Sequence, residues 1–160
     1  MNLMKPIAIK KIEQSAEWLY EVKYDGFRTR LVWTENIMKL ISKNNIDLSA
    51  NFPEIITYCR EIHSNVAKYL PVQLDGELVI LNNKYQANFA LIQKRGRLKA
   101  GHRIEKMASE RPATLMIFDI LEMKGKSLSN KNLLERKSLL QKFFSNTVEN
   151  ARIQLVESFS

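Results

Sequence analysis

The side chain best suited to covalent chemistry in this sequence is Lys23, which stands two residues before the turn-prone pair Asp25-Gly26. A lysine amine near its free pKa of ~10.4 is protonated at neutral pH and is then a poor nucleophile. It must lose its proton, through desolvation or nearby cations, before it can attack an electrophilic atom. The sequence contains no G-x-x-x-x-G-K-[ST] loop, which excludes phosphate binding of the P-loop type and leaves covalent catalysis through Lys23 as the alternative.

The residues around Lys23 predict how it is positioned. Tyr20 and Val22 alternate with Glu21 and Lys23, which is typical of a strand that carries the lysine at its end. An Asp-Gly pair between two alternating runs indicates a hairpin, and residues 27–33 predict the next strand. Taken alone, the pair predicts a turn and nothing more.

Three short motifs give this turn a functional interpretation. The segment EVKYDGFR at residues 21–28 resembles the nucleotidyl-accepting motif K-x-D-G-x-R of ATP-dependent DNA ligases, and every fixed position is present. The segment LDGE at residues 74–77 resembles the D-G-E motif of that family, and FDIL at residues 118–121 resembles its later F-D motif. The motifs stand in the order found in the family. The sequence is therefore similar to the adenylation domain of bacterial ligase D-type enzymes.

The resemblance implies a DNA ligase reaction that starts on Lys23. In the family this lysine attacks the α-phosphate of ATP and becomes lysyl-AMP, while Mg²⁺ on the triphosphate stabilises the departing pyrophosphate. The adenylyl group then passes to a DNA 5′-phosphate, and a 3′-hydroxyl displaces AMP to seal the nick. ATP and Mg²⁺ are thus the expected cofactors, and nicked or broken duplex DNA is the expected partner in end-joining repair.

The resemblance also assigns roles to four further residues. Glu21 is expected at the edge of adenine, Arg28 at the ribose or a phosphate with its fixed donor fork, and Phe118 stacked on adenine. Glu77 is expected to bind the ribose or a metal-bound water, which makes it the predicted metal residue as well. Each assignment has a structural alternative. Glu21 fits an exposed strand charge, Glu77 a hairpin carboxylate and Phe118 core packing.

The segment after the first motif departs from the family pattern. Where the family shows Ser/Thr-Arg-x-Gly, this sequence has Ser-Lys-Asn-Asn at residues 42–45. Lys43 is the expected phosphate contact there, with the charge of the arginine but without its bidentate geometry. Asn45 can adopt the left-handed conformation that the glycine provides.

A second departure concerns the motifs that follow residue 121 in the family. No E-G-x-V motif and no OB-type domain follow in this sequence, and the K-x-K at residues 124–126 lies in a predicted turn. Residues 1–160 are therefore interpreted as the amino-terminal part of an adenylation domain. On this interpretation, the chain alone is expected to bind ATP weakly and to seal no nicks.

The segment KRGRLKAGHRIEK at residues 94–106 is strongly basic, with Glu105 as its single acidic residue. The functional hypothesis is that Arg95, Arg97, Lys99 and Arg103 contact DNA phosphates. The alternative is a solvated surface loop without a partner.

Composition limits the class of protein. The 160 residues suit one domain. The 25 basic against 17 acidic residues give a net charge of +8, which favours a polyanionic partner.

The single Cys59 excludes an internal disulfide and fits a reducing compartment. Its helical spacing predicts that it packs in the core and is not a nucleophile. No apolar run reaches the ~20 residues of a membrane span, and residues 1–11 lack the apolar core of a signal peptide. The expected location is the cytoplasm, in association with the nucleoid.

The apolar pattern predicts an α+β fold with mainly antiparallel sheets and packed helices. Residues 18–42 predict a meander of three strands, and residues 72–81, 113–123 and 153–156 predict further strands. Helices are predicted from Pro53 to about residue 68, in a short stretch that ends near Gly96, and over residues 132–144. In the last helix, the side chains predicted to face inward are Leu133, Leu134, Leu140 and Phe144.

Two other functions remain open on the sequence alone. An RNA ligase or capping-type nucleotidyltransferase shares the K-x-D-G motif, although FDIL and QKRGRLK favour a DNA ligase. A non-catalytic nucleotide- or DNA-binding remnant fits the absence of the later motifs. For a ligase, the further partners to expect are a Ku-type end-binding protein and a separate carboxyl-terminal ligase segment.

Overall fold

The strands of this protein build one large sheet and two small ones. The computed structural model describes residues 3–12, 15, 17–145 and 151–160. The strands are β1 (Tyr20–Glu21), β2 (Phe27–Trp33), β3 (Met38–Ser42), β4 (Val72–Val79), β5 (Leu81–Asn83), β6 (Gln86–Ala87), β7 (Thr114–Met123), β8 (Lys126–Ser127), β9 (Ile153–Leu155) and β10 (Ser158–Phe159). The helices are α1 (Pro53–Glu61), α2 (His63–Val66), α3 (Phe89–Gly96), α4 (Gly101–Glu110) and α5 (Leu133–Phe144).

The large sheet has six strands in the order β3-β2-β4-β7-β8, with β9 also beside β7. Its neighbours are antiparallel except for β9, which runs parallel to β7. The outer edge of β7 is divided, because β9 pairs with residues 115–117 and β8 pairs with residues 122–123. The predicted α+β class with mainly antiparallel sheets is confirmed.

Strand β1 does not join the large sheet, so the meander predicted over residues 18–42 is wrong in its first strand. β1 pairs antiparallel with β10, with Glu21 opposite Ser158. The connection between β1 and β2 has five residues, 22–26, which is longer than the two-residue loop of a tight hairpin. The partners of β2 are instead β3 and β4, while β5 and β6 form a separate hairpin.

One face of the large sheet lies in the main hydrophobic core. Leu31, Leu74 and Ile117 from three neighbouring strands are fully buried there. Helix α1 begins at Pro53, as predicted, and buries Cys59. Burial raises the pKa of the Cys59 thiol to about 12, which makes it a packing residue and not a nucleophile.

Helix α5 packs along the outer edge of β7 and differs from its prediction at its start. Leu140 and Phe144 are buried as predicted, but Leu133 and Leu134 are 37% and 70% exposed. The prediction is wrong for these two because they belong to the first turn, before the helix reaches β7. Lys137, one turn further along the helix, is buried instead.

No helix in the described ranges is long and apolar enough to cross a membrane.

Candidate active site

The face of the large sheet opposite the main core carries the three sequence motifs. Side chains alternate between the two faces of a strand, and the buried Leu31 and Leu74 mark the core face. Arg28 in β2 stands opposite Glu77 in β4, and the guanidinium carbon of Arg28 lies 5.4 Å from the ring centre of Phe118 in β7. Segments that are distant in sequence thus meet on this face.

Arg28 is held by the aspartate of the second motif. Its Nε and Nη2 donate to the two carboxylate oxygens of Asp75 over 3.2 and 2.7 Å. Burial raises the pKa of the Asp75 carboxyl, although the Arg28 guanidinium opposes this shift. The remaining donor, Nη1, bonds the main-chain oxygen of Met4 in the exposed amino-terminal segment over 2.5 Å. The pair with Asp75 therefore fixes the plane of the guanidinium. Among the described residues, Nη1 bonds only the Met4 oxygen, which a ligand oxygen could replace.

Glu77 connects the second motif to the loop that carries Lys23. Its Oε1 accepts a hydrogen bond from the main-chain N–H of Gly26 over 3.2 Å. Burial raises the pKa of the Glu77 carboxyl, and the bond from Gly26 and the charge of Lys23 partly offset the rise. This carboxylate accepts one hydrogen bond from the described residues, so it retains capacity for a ligand.

The glycines of both motifs are required by close contact between backbones. A Cβ atom on Gly26 would lie 2.1 Å from the main-chain oxygen of Leu78, and one on Gly76 would lie 2.5 Å from that of Met116. Both distances are shorter than real Cβ atoms show. The glycine after Asp25 thus lets the loop of Lys23 lie directly against β4, which is a steric reason that the hairpin prediction did not contain.

Lys23 itself is exposed and forms an ion pair within its own loop. Its Nζ lies 2.7 Å from Oδ1 of Asp25, and 81% of its side chain is exposed. The hydrogen bond to Asp25 raises the pKa of the amine, and desolvation partly opposes this rise. The amine is therefore protonated at neutral pH in this arrangement, and nucleophilic attack by it would require loss of that proton.

Tyr24, between these two residues, anchors the loop. Its ring is buried in a small cluster with Val79, Met116 and Val156, and its hydroxyl donates to the main-chain oxygen of Lys84 over 2.9 Å. Because neighbouring residues of an extended chain point in opposite directions, burial of Tyr24 directs Lys23 and Asp25 to the solvent.

Glu21 lies at the edge of the site, in β1. Its Oε1 forms an ion pair with the ammonium of Lys137 and accepts a hydrogen bond from Ser158 Oγ over 2.8 Å. The same ammonium donates to the main-chain oxygen of Phe118. Glu21 is therefore not the free strand charge of the structural alternative. Phe118 is half-buried beside the small cluster around Tyr24, so part of its ring is open to a ligand.

Two open cavities of about 490 and 520 Å³ adjoin the site, and Lys43 lines both. The first lies between the Gly26 loop and the end of α3, where Arg97 contributes. The second lies under the amino-terminal segment, with Lys5 and Arg30 in its wall. Their cationic lining suits phosphate groups.

Two predictions about the backbone are confirmed. Asn45 has a φ of 62°, which is the left-handed conformation predicted for it. Lys124 and Gly125 have φ values of 52° and 72° and form the turn between β7 and β8, so the K-x-K of residues 124–126 lies at this turn, with Lys126 as the first residue of β8.

The basic segment is mostly helical, because α3 ends and α4 begins within it. Arg95 is fully buried, with Nη1 and Nη2 bonded to the carboxylate of Glu54 over 2.8 and 3.1 Å. The prediction that Arg95 contacts DNA is wrong, since its guanidinium lies inside the protein. Arg97, Lys99 and Arg103 are exposed. These three residues are called the basic patch below.

The carboxylates near Lys23 fit a metal ion that is shared with a nucleotide. Among the described residues there is no group of three His, Cys, Asp or Glu side chains that could hold a metal ion. Mg²⁺ is usually bound by one or two carboxylates together with substrate phosphates. Glu77, with its spare acceptor capacity, and Asp25 supply that number of carboxylates.

The structure adds residues that sequence reasoning missed. Asp75 had a local signal, because it lies two positions before Glu77 and thus on the same face of β4. Lys137 also had one, since it falls on the apolar stripe of α5 with Leu140 and Phe144, where a charge indicates a buried pair. The bond between Tyr24 and the β5–β6 hairpin had none, because it depends on long-range packing.

Comparison with known proteins places this chain in a family. The family described as "ATP dependent DNA ligase domain" matches residues 2–160. The chain is 39% identical over 142 residues to the bifunctional non-homologous end joining protein LigD of Bacillus subtilis, covering 89% of this chain and 23% of that protein. It is 30% identical over 141 residues to a DNA ligase of Thermoplasma volcanium, covering 86% and 22%. The chain thus spans less than a quarter of the length of these two relatives.

Solved structures show the same fold. The chain is similar to a mycobacterial DNA ligase D complexed with ATP and MES, with a TM-score of 0.64 and 22% identity over 89% of this chain and 40% of that chain. The ligase domain of M. tuberculosis LigD gives the same TM-score and identity. At this level of identity, the similarity supports the fold of the ligase domain and does not by itself assign residue roles.

Proposed function

Because the chain belongs to the family of ATP-dependent DNA ligase domains, we propose that it accepts AMP from ATP on Lys23 and passes it to a DNA 5′-phosphate. The observation that carries the proposal is the meeting of the three motifs on one face. The loop of Lys23 is bonded to Glu77, and Arg28 lies between Asp75 and Phe118. An exposed lysine, an aromatic platform, an arginine and a carboxylate are among the groups that nucleotidyl transfer uses.

The first step forms a bond between Lys23 Nζ and the α-phosphorus of ATP. The bond from that phosphorus to the oxygen leading to the β-phosphate breaks, and pyrophosphate leaves with the electron pair. Before the attack, the amine must leave Asp25 and lose its proton to solvent, since Asp25 raises its pKa. Mg²⁺, when bound with the triphosphate, neutralises charge on the leaving group.

Other residues of the site bind and orient the nucleotide in this proposal. Phe118 supports the adenine ring, Glu21 accepts a hydrogen bond from the base, and Nη1 of Arg28 exchanges the Met4 oxygen for a ribose or phosphate oxygen. Glu77 holds the ribose or a metal-bound water.

The DNA then receives the adenylyl group. Lys43 lies in the wall of both cavities and contacts a phosphate there, while the basic patch contacts the DNA backbone. The named role of the Bacillus subtilis relative in non-homologous end joining supports broken duplex DNA as the substrate. A Ku-type protein and a carboxyl-terminal ligase segment are the partners that such a reaction calls for.

The test is covalent labelling. Residues 1–160 replace the corresponding part of the Bacillus subtilis relative, and the chimera is incubated with α-labelled ATP and Mg²⁺. We expect label on Lys23 and its transfer to nicked DNA, and no label in Lys23→Ala or Lys23→Arg, because neither offers a neutral amine. Lys39→Arg is the matched control, since Lys39 is also an exposed lysine paired with an aspartate, Asp47. Label that persists in Lys23→Ala would contradict the assignment.

A non-catalytic nucleotide-binding role is the second candidate, and the ion pair between Lys23 and Asp25 favours it. An amine that stays protonated on Asp25 binds phosphate but does not attack it. ATP binding by the chimera without any covalent label would establish this role. Transfer of the label to nicked RNA in preference to nicked DNA would instead identify an RNA ligase.

A further inference from the structure

The outer edge of β7 has a gap that helix α5 fills. β9 and β8 pair with the two ends of β7 and leave residues 118–121 without a neighbouring strand on this edge, opposite β4. Over this gap, Lys137 of α5 donates to the main-chain oxygen of Phe118. The preceding residue of the helix, Arg136, forms a bidentate pair with Asp119 over 2.7 and 3.0 Å. Arg136 thus supplies the hydrogen bonds and the counter-charge of the buried Asp119 carboxylate. Lys137 instead extends past β7 to Glu21 in β1.

The ammonium of Lys137 joins β7 to β1. It contacts Phe118 O and Glu21 Oε1 at once, so these two oxygens lie within two hydrogen-bond lengths, roughly 6 Å at most. Glu21 Oε1 also accepts from Ser158. Its other oxygen, Oε2, accepts no hydrogen bond from a described residue. One oxygen of the carboxylate is therefore clamped close to the backbone of Phe118, and the other remains available to a ligand.

We propose that Lys137 is a positioning residue that selects adenine by holding Glu21 Oε2 at the edge of the base. The inference rests on the proposed function and extends it to a residue outside the three motifs. Adenine carries a 6-amino group that donates a hydrogen bond, whereas guanine and hypoxanthine carry a 6-oxo group that accepts one. An ionised carboxylate only accepts. A Glu21 oxygen clamped opposite the 6-position therefore binds the amino group of adenine and repels the 6-oxo oxygen, and the clamp keeps it from shifting to the N1–H that a 6-oxopurine offers.

The chemistry of Lys137 suits this task. The side chain of Lys137 is 11% exposed and that of Glu21 is 25% exposed. The ion pair is therefore largely shielded from water, and it can hold the Glu21 carboxylate in one orientation. Glu21 nevertheless keeps contact with water, and loss of Lys137 leaves the carboxylate solvated instead of buried without a partner. Substitution of Lys137 should therefore loosen Glu21 without unfolding the protein.

The experiment titrates the 160-residue protein, followed by its amide NMR spectrum, with ATP, ITP and inorganic tripolyphosphate. ITP carries the 6-oxo group in place of the 6-amino group, and tripolyphosphate lacks the base altogether. We expect the unmodified protein to favour ATP over ITP, and Lys137→Met to lose that preference by on the order of tenfold, as for one hydrogen bond to a charged group. Affinity for tripolyphosphate should stay the same.

Further variants separate positioning from general damage. Lys137→Arg keeps the charge and should retain the preference, and Lys142→Met on an exposed position of α5 should change nothing. Glu21→Gln should lose the preference, and adding Lys137→Met to it should have no further effect, since both act through the same carboxylate. An unchanged ratio of ATP to ITP affinity in Lys137→Met overturns the inference, as does an equal loss of ATP and tripolyphosphate binding. If the 160-residue protein binds too weakly to compare the ligands, the same titrations are made with the chimera, and absence of ATP binding by the chimera overturns the proposed function itself.

Discussion

Replacing Arg95 should destabilise the protein strongly, because this arginine is a buried junction. Its side chain is 0% exposed, and besides Glu54 it bonds the main-chain oxygens of Asn51 and Arg111. Arg95→Met removes all of these donors and leaves the Glu54 carboxylate without its counter-charge. Breaking one side of a buried ion pair costs about 3–5 kcal/mol. In a domain of this size, each kcal/mol of lost stability lowers Tm by about 2–4 °C, so we expect Tm to fall by roughly 6–20 °C.

Thermal and urea unfolding measure the change, with Arg97→Met as the control from the exposed end of the same segment. The double variant Arg95→Met/Glu54→Gln should recover part of the loss. Glutamine keeps an oxygen for the main-chain N–H of Ala113, which Glu54 now accepts over 2.9 Å, and it removes the charge left without a partner. A Tm for Arg95→Met within 2 °C of the unmodified protein, roughly the shift for less than 1 kcal/mol, would refute the reasoning. So would a double variant less stable than Arg95→Met.

Three further predictions concern the motifs and the DNA. Asp25→Asn removes the main cause of the raised pKa of Lys23, so the rise of the lysyl-AMP formation rate with pH should move to lower pH; an unmoved profile contradicts this. Gly76→Ala should cost about 1–3 kcal/mol in urea unfolding, because its Cβ meets a main-chain oxygen, whereas Gly101→Ala meets nothing within 4 Å and should cost none. Alanine at the basic patch should weaken duplex binding for every sequence and lower the salt slope by ~0.9 per lost phosphate contact; an unchanged slope means that the patch is only solvated.

The local features of this fold could be predicted because they depend on neighbouring residues. Alternation of apolar residues indicated β2, apolar runs indicated β4 and β7, and Pro53 indicated the start of α1. The left-handed Asn45 followed from its side-chain chemistry. The motif residues Arg28 and Glu77 could be placed on one face because β2 and β4 are regular strands.

The long-range features could not be predicted, because several partners compete for each polar residue. In sequence, Arg95 is one of several cations in a basic run, and only the packing of α1 against α3 decides that it pairs with Glu54. The same holds for Lys137, whose partner Glu21 lies far away in the chain. The pairing of β1 with β10 is set by the length of the Lys23 loop and by contacts that no local pattern encodes.

The pairing of β1 with β10 has a consequence for the order of folding. Ser158, which bonds Glu21, is separated from it by 137 positions, and chains are synthesised from the amino terminus at about 5–20 residues per second. The strand before Lys23 therefore waits roughly 7 to 27 s for its partner. Contacts with such a large sequence separation also form late in folding because closing the loop is entropically costly. Strands β2, β3, β4, β7 and β8 of the large sheet are all made before β10, so they can pair before β1 docks. The arm that carries Lys23 is then the last part of the site to be fixed and the first expected to open in hydrogen exchange.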